Sequence, residues 1–217
     1  MAADRTQLLG SPALEEGAGT EVRDLHPEVQ GASGGGSHVR AFFGLPVPEA
    51  QRAAMADFLT ACAEVAPQLR WTPAANLHLT VRFIGNVDRP LVEAIADRLA
   101  ARSLLAFDIE LGNFGTFGHG RHVRVVWQGL HTGADAVTAL AAQVDAECAA
   151  AGLVGEKRPF QAHLTLARAR PRDGAELPPL PEPPRLSAWR ASELVLYASR
   201  LSRTGATYES LRTVKLD

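Results

Sequence analysis

The sequence predicts an α+β fold built from two similar lobes that face each other across a cleft. A strand–helix–strand pattern occurs twice, first from VRAFFGL to HLTVRF and again from VRVVWQGL to HLTLAR. The two copies keep step: Val39 and Val123 are 84 residues apart, and His78 and His163 are 85 apart. Two copies of this length are too few and too long for a stacked repeat array, and 217 residues suit one domain or two small lobes. A pseudo-twofold axis relating the copies brings one His-Leu-Thr strand from each to the shared cleft.

The first 37 residues mix Gly, Ser, Glu and Pro without period and end in GASGGGS, a linker composition. They read as a disordered tail, with the folded domain over 38–217. Val39 to Leu45 reads as a strand bounded by Pro46 and Pro48. Met55, Phe58, Leu59, Cys62 and Ala66 follow at helical spacing. Leu77 to Ile84 alternates as a strand, and Leu91, Ile95 and Leu99 mark a second helix opening at Asp88 and Pro90. Phe107, Ile109 and Leu111 alternate with acidic residues as a half-buried strand, and GNFGTFGHG reads as a loop. Val123 to Trp127 is a strand. Val137, Leu140, Ala141, Val144, Cys148 and Ala151 mark a third helix, with a capping box at Thr132 and Asp135 and a stop at Gly152. Phe160 to Ala167 is a strand. The prolines of 170–187 dictate an extended surface loop, and Glu193–Ala198 and Thr207–Val214 close the chain as strands.

Composition narrows the function. The 46% hydrophobic and 21% charged content is that of a soluble globular protein. No run approaches the 18 apolar residues of a membrane span, and the first residues lack a basic segment followed by an apolar one, so a cytoplasmic protein is expected. A net charge of −2 argues against binding long nucleic acid through its backbone. Cys62 and Cys148 sit on apolar helix faces and read as buried free thiols.

In a strand, residues two apart share a face. His78 and Thr80 therefore face one way and Leu77, Leu79 and Val81 the other, and His163 and Thr165 likewise turn from Leu164 and Leu166. Two such strands surround one small volume with two imidazoles and two hydroxyls. Phosphodiester cleavage needs one group to take a proton from water and another to give one to the leaving oxygen. Imidazole does either near neutrality. The threonine hydroxyls are placed to donate to phosphate oxygens. A single His-Leu-Thr is weak evidence, and its bland reading is a surface or satisfied core histidine; two on equivalent strands are strong. Neither has a second His, Cys or carboxylate within reach, so no metal or other cofactor is expected. Histidines 26, 38, 119, 122 and 131 read as tail or loop residues. Arg82 shares the face of His78 by alternation, and its bland reading is a solvated strand-end charge. Arg168 reaches the cleft only if its strand ends or bulges. Phe114 and Phe117 suit either base stacking or packing.

The segments RAFFGLPVP, RWTPAANLHLTVRFIGNV, RVVWQGL, KRPFQAHLTLAR and LYASRLSRTGATYE together resemble the 2H phosphoesterases, specifically the RNA 2′,3′-cyclic phosphodiesterases once called 2′-5′ RNA ligases. The resemblance covers Val39 to Leu216. It implies a bilobal α+β fold with antiparallel sheets lining a central cleft. It also implies hydrolysis of a terminal 2′,3′-cyclic phosphate to a 2′-phosphomonoester, with His78 as proton donor and His163 as acceptor. The implied partners are RNA 3′ ends or small cyclic nucleotides, met by a monomer. Gln161–Ala162 departs from a proline often found before the second histidine, the long N-terminal tail is unusual, and Arg203 and Tyr208 match without an evident role. The same residues serve related reactions on ADP-ribose cyclic phosphate or 2′-5′ oligonucleotides, or reversible ligation. Loss of one histidine would have pointed to an RNA-end binding protein without turnover; both are present.

Overall fold

A computed structural model describes residues 38–119, 121–156, 158–172, 174–202 and 205–217. The linker reading of 1–37, together with His26, Arg203, Thr204, Gly120, Lys157 and Asp173, lies outside the described residues.

Among the described residues, nine strands and three helices follow one another as β1 (His38–Pro46), α1 (Glu49–Val65), β2 (Leu69–Trp71), β3 (His78–Asp88), α2 (Arg89–Ala100), β4 (Phe107–His119), β5 (His122–Thr132), α3 (Ala134–Ala150), β6 (Leu164–Ala169), β7 (Trp189–Ala191), β8 (Glu193–Ser202) and β9 (Gly205–Lys215). A 3₁₀ turn at Ala74–Asn76 leads into β3. The strands lie in the order β7-β4-β5-β6-β3-β1-β8-β9, with β2 beside β6. Among the described residues every pairing between strands is antiparallel. Lobe one is β3-β1-β8-β9 and lobe two is β6-β5-β4-β7. They meet at a single pair, Leu79 with Leu164.

The helices form where the apolar spacing predicts them, with Met55, Phe58, Leu59 and Cys62 buried on α1 and Val137, Leu140, Val144 and Cys148 on α3. The expected capping box is absent. Thr132 instead ends β5, where its hydroxyl donates to Glu110 at 3.3 Å. The helix starts at Gly133, whose φ of +92° and 2.5 Å approach of a notional Cβ to the Asp108 carbonyl require glycine. At the other end Gly152 stops the helix as expected: its N–H bonds Ala149 and that of Leu153 bonds Cys148, a Schellman arrangement.

The two strand–helix–strand copies are interlocked. Helix α1 leaves lobe one and packs on β2, the 3₁₀ turn and, through Phe58, on Phe114 of β4 in lobe two. Helix α3 leaves lobe two and packs on β3 and α2 in lobe one. The helix-covered face of the sheet carries Phe43, Leu45, Leu79, Leu164, Leu166 and Leu196, all fully buried. Each such side chain contributes about 1.5–3 kcal/mol of burial free energy, and this face therefore fixes which residues the opposite, concave face presents.

Candidate active site

The pair Leu79–Leu164 sets the geometry of the site. Both leucines point into the helix-covered core with no exposure. His78, Thr80, His163 and Thr165, one residue to either side, turn to the concave face. Antiparallel counting from the leucine pair puts His78 across from Thr165 and Thr80 across from His163. Strand β3 begins at His78, and β6 begins at Leu164, four residues later than the expected start at Phe160, so His163 sits just ahead of its strand.

Both imidazoles are held in the same way. Nδ1 of His78 lies 2.7 Å from the carbonyl of Asn76, and Nδ1 of His163 lies 2.8 Å from that of Gln161, each two residues upstream. A carbonyl only accepts, so each Nδ1 carries the proton and each Nε2 is left to exchange one. The Asn76 side chain is itself tied to Ala206 of β9 at 2.8 Å. Burial lowers the pKa of His78; the Asn76 carbonyl opposes this, and Arg168 and His163 add to the lowering. Burial also lowers that of His163, opposed by the Gln161 carbonyl and reinforced by Arg168.

Rings flank each imidazole. His78 contacts Phe42 at 4.7 Å and Tyr208 edge-on at 5.1 Å, with Tyr197 stacked on Phe42 at 5.1 Å. His163 meets Phe117 edge-on at 5.3 Å and Trp127 at 6.1 Å. The indole of Trp127 lies over Gly115, where a Cβ would come within 2.1 Å of the ring. Burial raises the phenol pKa of Tyr197 and Tyr208, which keeps both hydroxyls protonated. Phe42, Tyr197 and Trp127 carry no chemical signal in sequence. Their only trace is alternation away from the core residues Phe43, Leu196 and Val126.

Two bulges decide the fate of the arginines. In lobe one Gly44 faces Thr80 and Phe43 faces Arg82, so Val81 is an extra residue. In lobe two Trp127 faces Thr165 and Val126 faces Ala167, so Leu166 is the extra residue. The bulges are equivalent, and they reverse simple alternation in both strands. Arg82 is therefore turned away from the cleft, contrary to expectation. It pairs with Asp145 of α3 at 2.9 Å and with Glu156 at 3.5 Å, and it also bonds the Val154 carbonyl. Arg168 is brought onto the face of Thr165, opposite Val125, where its charge acts on both histidines and on Tyr208. Through these ladders Gly44 corresponds to Trp127, 83 residues on, so the 84-residue match of Val39 with Val123 is one residue out of register.

Phe114 and Phe117 lie within β4 rather than in a loop; Phe114 packs on Phe58, and Phe117 closes on Trp127 at 5.2 Å. His38, His119 and His122 stand at strand ends and His131 near the end of β5. Cys62 and Cys148 are free and buried, and burial pushes the Cys62 thiol up to about 11. A hollow of about 490 Å³ lies beside the histidine pair on lobe two and includes Trp127, Phe160, Gln161 and Ala162 in its lining. The pair itself stands on the open concave face. Among the described residues, no three His, Cys, Asp or Glu side chains gather in a metal-binding group.

The family model of the 2′-5′ RNA ligase superfamily matches residues 46–201. The chain is 34% identical over 146 residues to the RNA 2′,3′-cyclic phosphodiesterase of Aeropyrum pernix, covering 64% of this chain and 82% of that protein. It is 30% identical over 184 residues to the RNA 2′,3′-cyclic phosphodiesterase of Geobacillus stearothermophilus, covering 81% of this chain and 56% of the longer relative. The structure of E. coli LigT complexed with 3′-AMP superposes with a TM-score of 0.65 at 26% identity, covering 82% of this chain and 98% of that one.

Proposed function

The chain belongs to the 2′-5′ RNA ligase superfamily, and from that premise we propose that it hydrolyses a terminal 2′,3′-cyclic phosphate on RNA or a nucleotide to a 2′-phosphomonoester. The observation that carries this reading is the matched pair of imidazoles, each with Nδ1 committed to a carbonyl and Nε2 left on one concave surface. The phosphate lies between them. His163 Nε2 takes a proton from water as the water oxygen bonds to phosphorus. The bond from phosphorus to the ribose 3′-oxygen breaks, and His78 Nε2 gives that oxygen its proton. Thr80 and Thr165 donate to the non-bridging oxygens, and Arg168 balances their charge. The family resemblance supplies the direction, with His78 as donor; the ladder geometry alone treats the two histidines alike.

Burial and Arg168 bias both imidazoles toward the neutral form. The acceptor needs that form. The donor must be protonated, and the negative charge of the bound phosphodiester favours its imidazolium. The route needs no metal. The reading is tested by incubating the protein with a 2′,3′-cyclic nucleotide in EDTA and identifying the product by phosphorus NMR. A 2′-phosphomonoester is expected. A 3′-phosphomonoester, or no turnover until a divalent ion is added, would contradict it.

A further inference from the structure

The equivalent bulges pair residues of the two lobes that occupy the same place in the ladder. The residue that follows the bulge onto the concave face is Arg168 in lobe two, opposite Val125, and Phe83 in lobe one, opposite Phe42. Phe83 is 43% exposed, on the same face as the buried Phe42 that touches His78. A single exposed phenylalanine is ordinary. This one stands on the site's own surface with the Arg40 guanidinium over its ring, 4.7 Å from the centroid. Arg40 also acts on the Tyr208 hydroxyl beside His78.

An aromatic ring with a cation against it suits single-stranded nucleic acid: the ring takes a base and the cation a linking phosphate. Phe83 lies past the bulge at Val81, and its ladder partner Phe42 is two residues along β1 from Gly44, the partner of Thr80, so the ring stands about 7 Å from Thr80 at ~3.3 Å per residue. That leaves room for one nucleoside between the reacting phosphate and this ring. The leaving 3′-oxygen faces the donor His78, which puts the terminal ribose on lobe one, the lobe that carries Phe83.

We propose that Phe83 and Arg40 form a subsite for the penultimate nucleotide of an RNA strand, the one before the nucleoside that carries the cyclic phosphate. Phe83 stacks its base and Arg40 pairs with the linking phosphate. This rests on the reaction proposed above and adds a preference for RNA ends over free cyclic nucleotides.

The test compares adenylyl-adenosine ending in a 2′,3′-cyclic phosphate with 2′,3′-cyclic AMP. Phe83→Ala is expected to raise KM for the dinucleotide about tenfold, the scale of one lost base–aromatic stack. It should leave kcat, and both constants for the mononucleotide, within about twofold. Phe83→Trp should restore the dinucleotide KM, and Arg40→Gln should raise it. Equal effects on both substrates, or none on either, would overturn the subsite. Direct binding of the two compounds to the His78→Ala protein, with and without Phe83→Ala, gives the same ratio without turnover. If the wild-type protein hydrolyses neither compound, the assigned reaction fails while the binding ratio still decides the subsite.

Discussion

One ladder is used twice, and the two lobes dress it differently. Next to His78 the ladder partner of Thr80 is Gly44, where a Cβ would lie 3.4 Å from the imidazole and 3.1 Å from the Leu79 carbonyl. The partner of Thr165 is Trp127, which needs Gly115 beneath it. Lobe one walls in His78 with Tyr197 and Tyr208 from β8 and β9, while lobe two sets Phe117 of β4 against His163. Past the bulge lobe one has a ring and lobe two a cation. In the proposed reaction the repeated features are two carbonyl-locked imidazoles for proton transfer and two hydroxyls for the phosphate oxygens. The unrepeated ones would then set the counter-charge on lobe two and the nucleoside on lobe one.

Breaking the repeated part should cost most. His78→Ala and His163→Ala are each expected to lower kcat/KM by ~10²–10⁴-fold, with the double variant little worse than either, because the pair acts as a unit. Circular dichroism should show both folded, since neither side chain belongs to the helix-covered core. Full activity in either single variant would remove the relay.

The next effect is on the unrepeated cation. Arg168→Gln should lower kcat/KM by roughly 10- to 100-fold, the scale of a charge-assisted donor. Arg168 lowers the pKa of both histidines, so its removal raises both. The acidic and alkaline limbs of the kcat/KM profile should then move together to higher pH. A slower variant with unmoved limbs would show that Arg168 acts on phosphate alone.

Thr80→Val and Thr165→Val should each cost about 1–3 kcal/mol in kcat/KM, one donor to a charged oxygen apiece. The smallest catalytic effect is expected at Arg82, which is equivalent to Ala167 and committed to α3. Arg82→Gln should lower the melting temperature and leave kcat near wild type. A large loss of kcat with unchanged stability would place it back in the cleft.

The helices and the motif strands were legible because burial on one face leaves a period in sequence, as at Met55, Phe58, Leu59 and Cys62. The bulges were not. Val81 and Leu166 are apolar residues in apolar strands, and nothing local marks them as extra, yet each flips the residues after it. That is why Arg82 was expected in the cleft and why Arg168 stood in doubt. The glycines of β4 imitate a loop. They are required because Trp127 lies on Gly115 and the His122 carbonyl would come within 2.1 Å of a Cβ on Gly118. The three-residue strands β2 and β7 are too short to leave a period and exist only through their partners β6 and β4. The aromatic wall was invisible because Tyr197 and Tyr208 become neighbours of His78 only through the order of β1, β8 and β9.

The relay is tested most directly by the pH dependence of kcat/KM on a 2′,3′-cyclic nucleotide in EDTA, for the wild-type protein and both histidine variants. The wild-type profile should be bell-shaped and indifferent to the chelator, with limbs that belong to the coupled pair. Residual activity should lose its acidic limb in His163→Ala, where the base is gone, and its alkaline limb in His78→Ala, where the acid is gone. Loss of the same limb in both variants, or activity that falls with EDTA and returns with a divalent ion, would contradict the two-histidine relay.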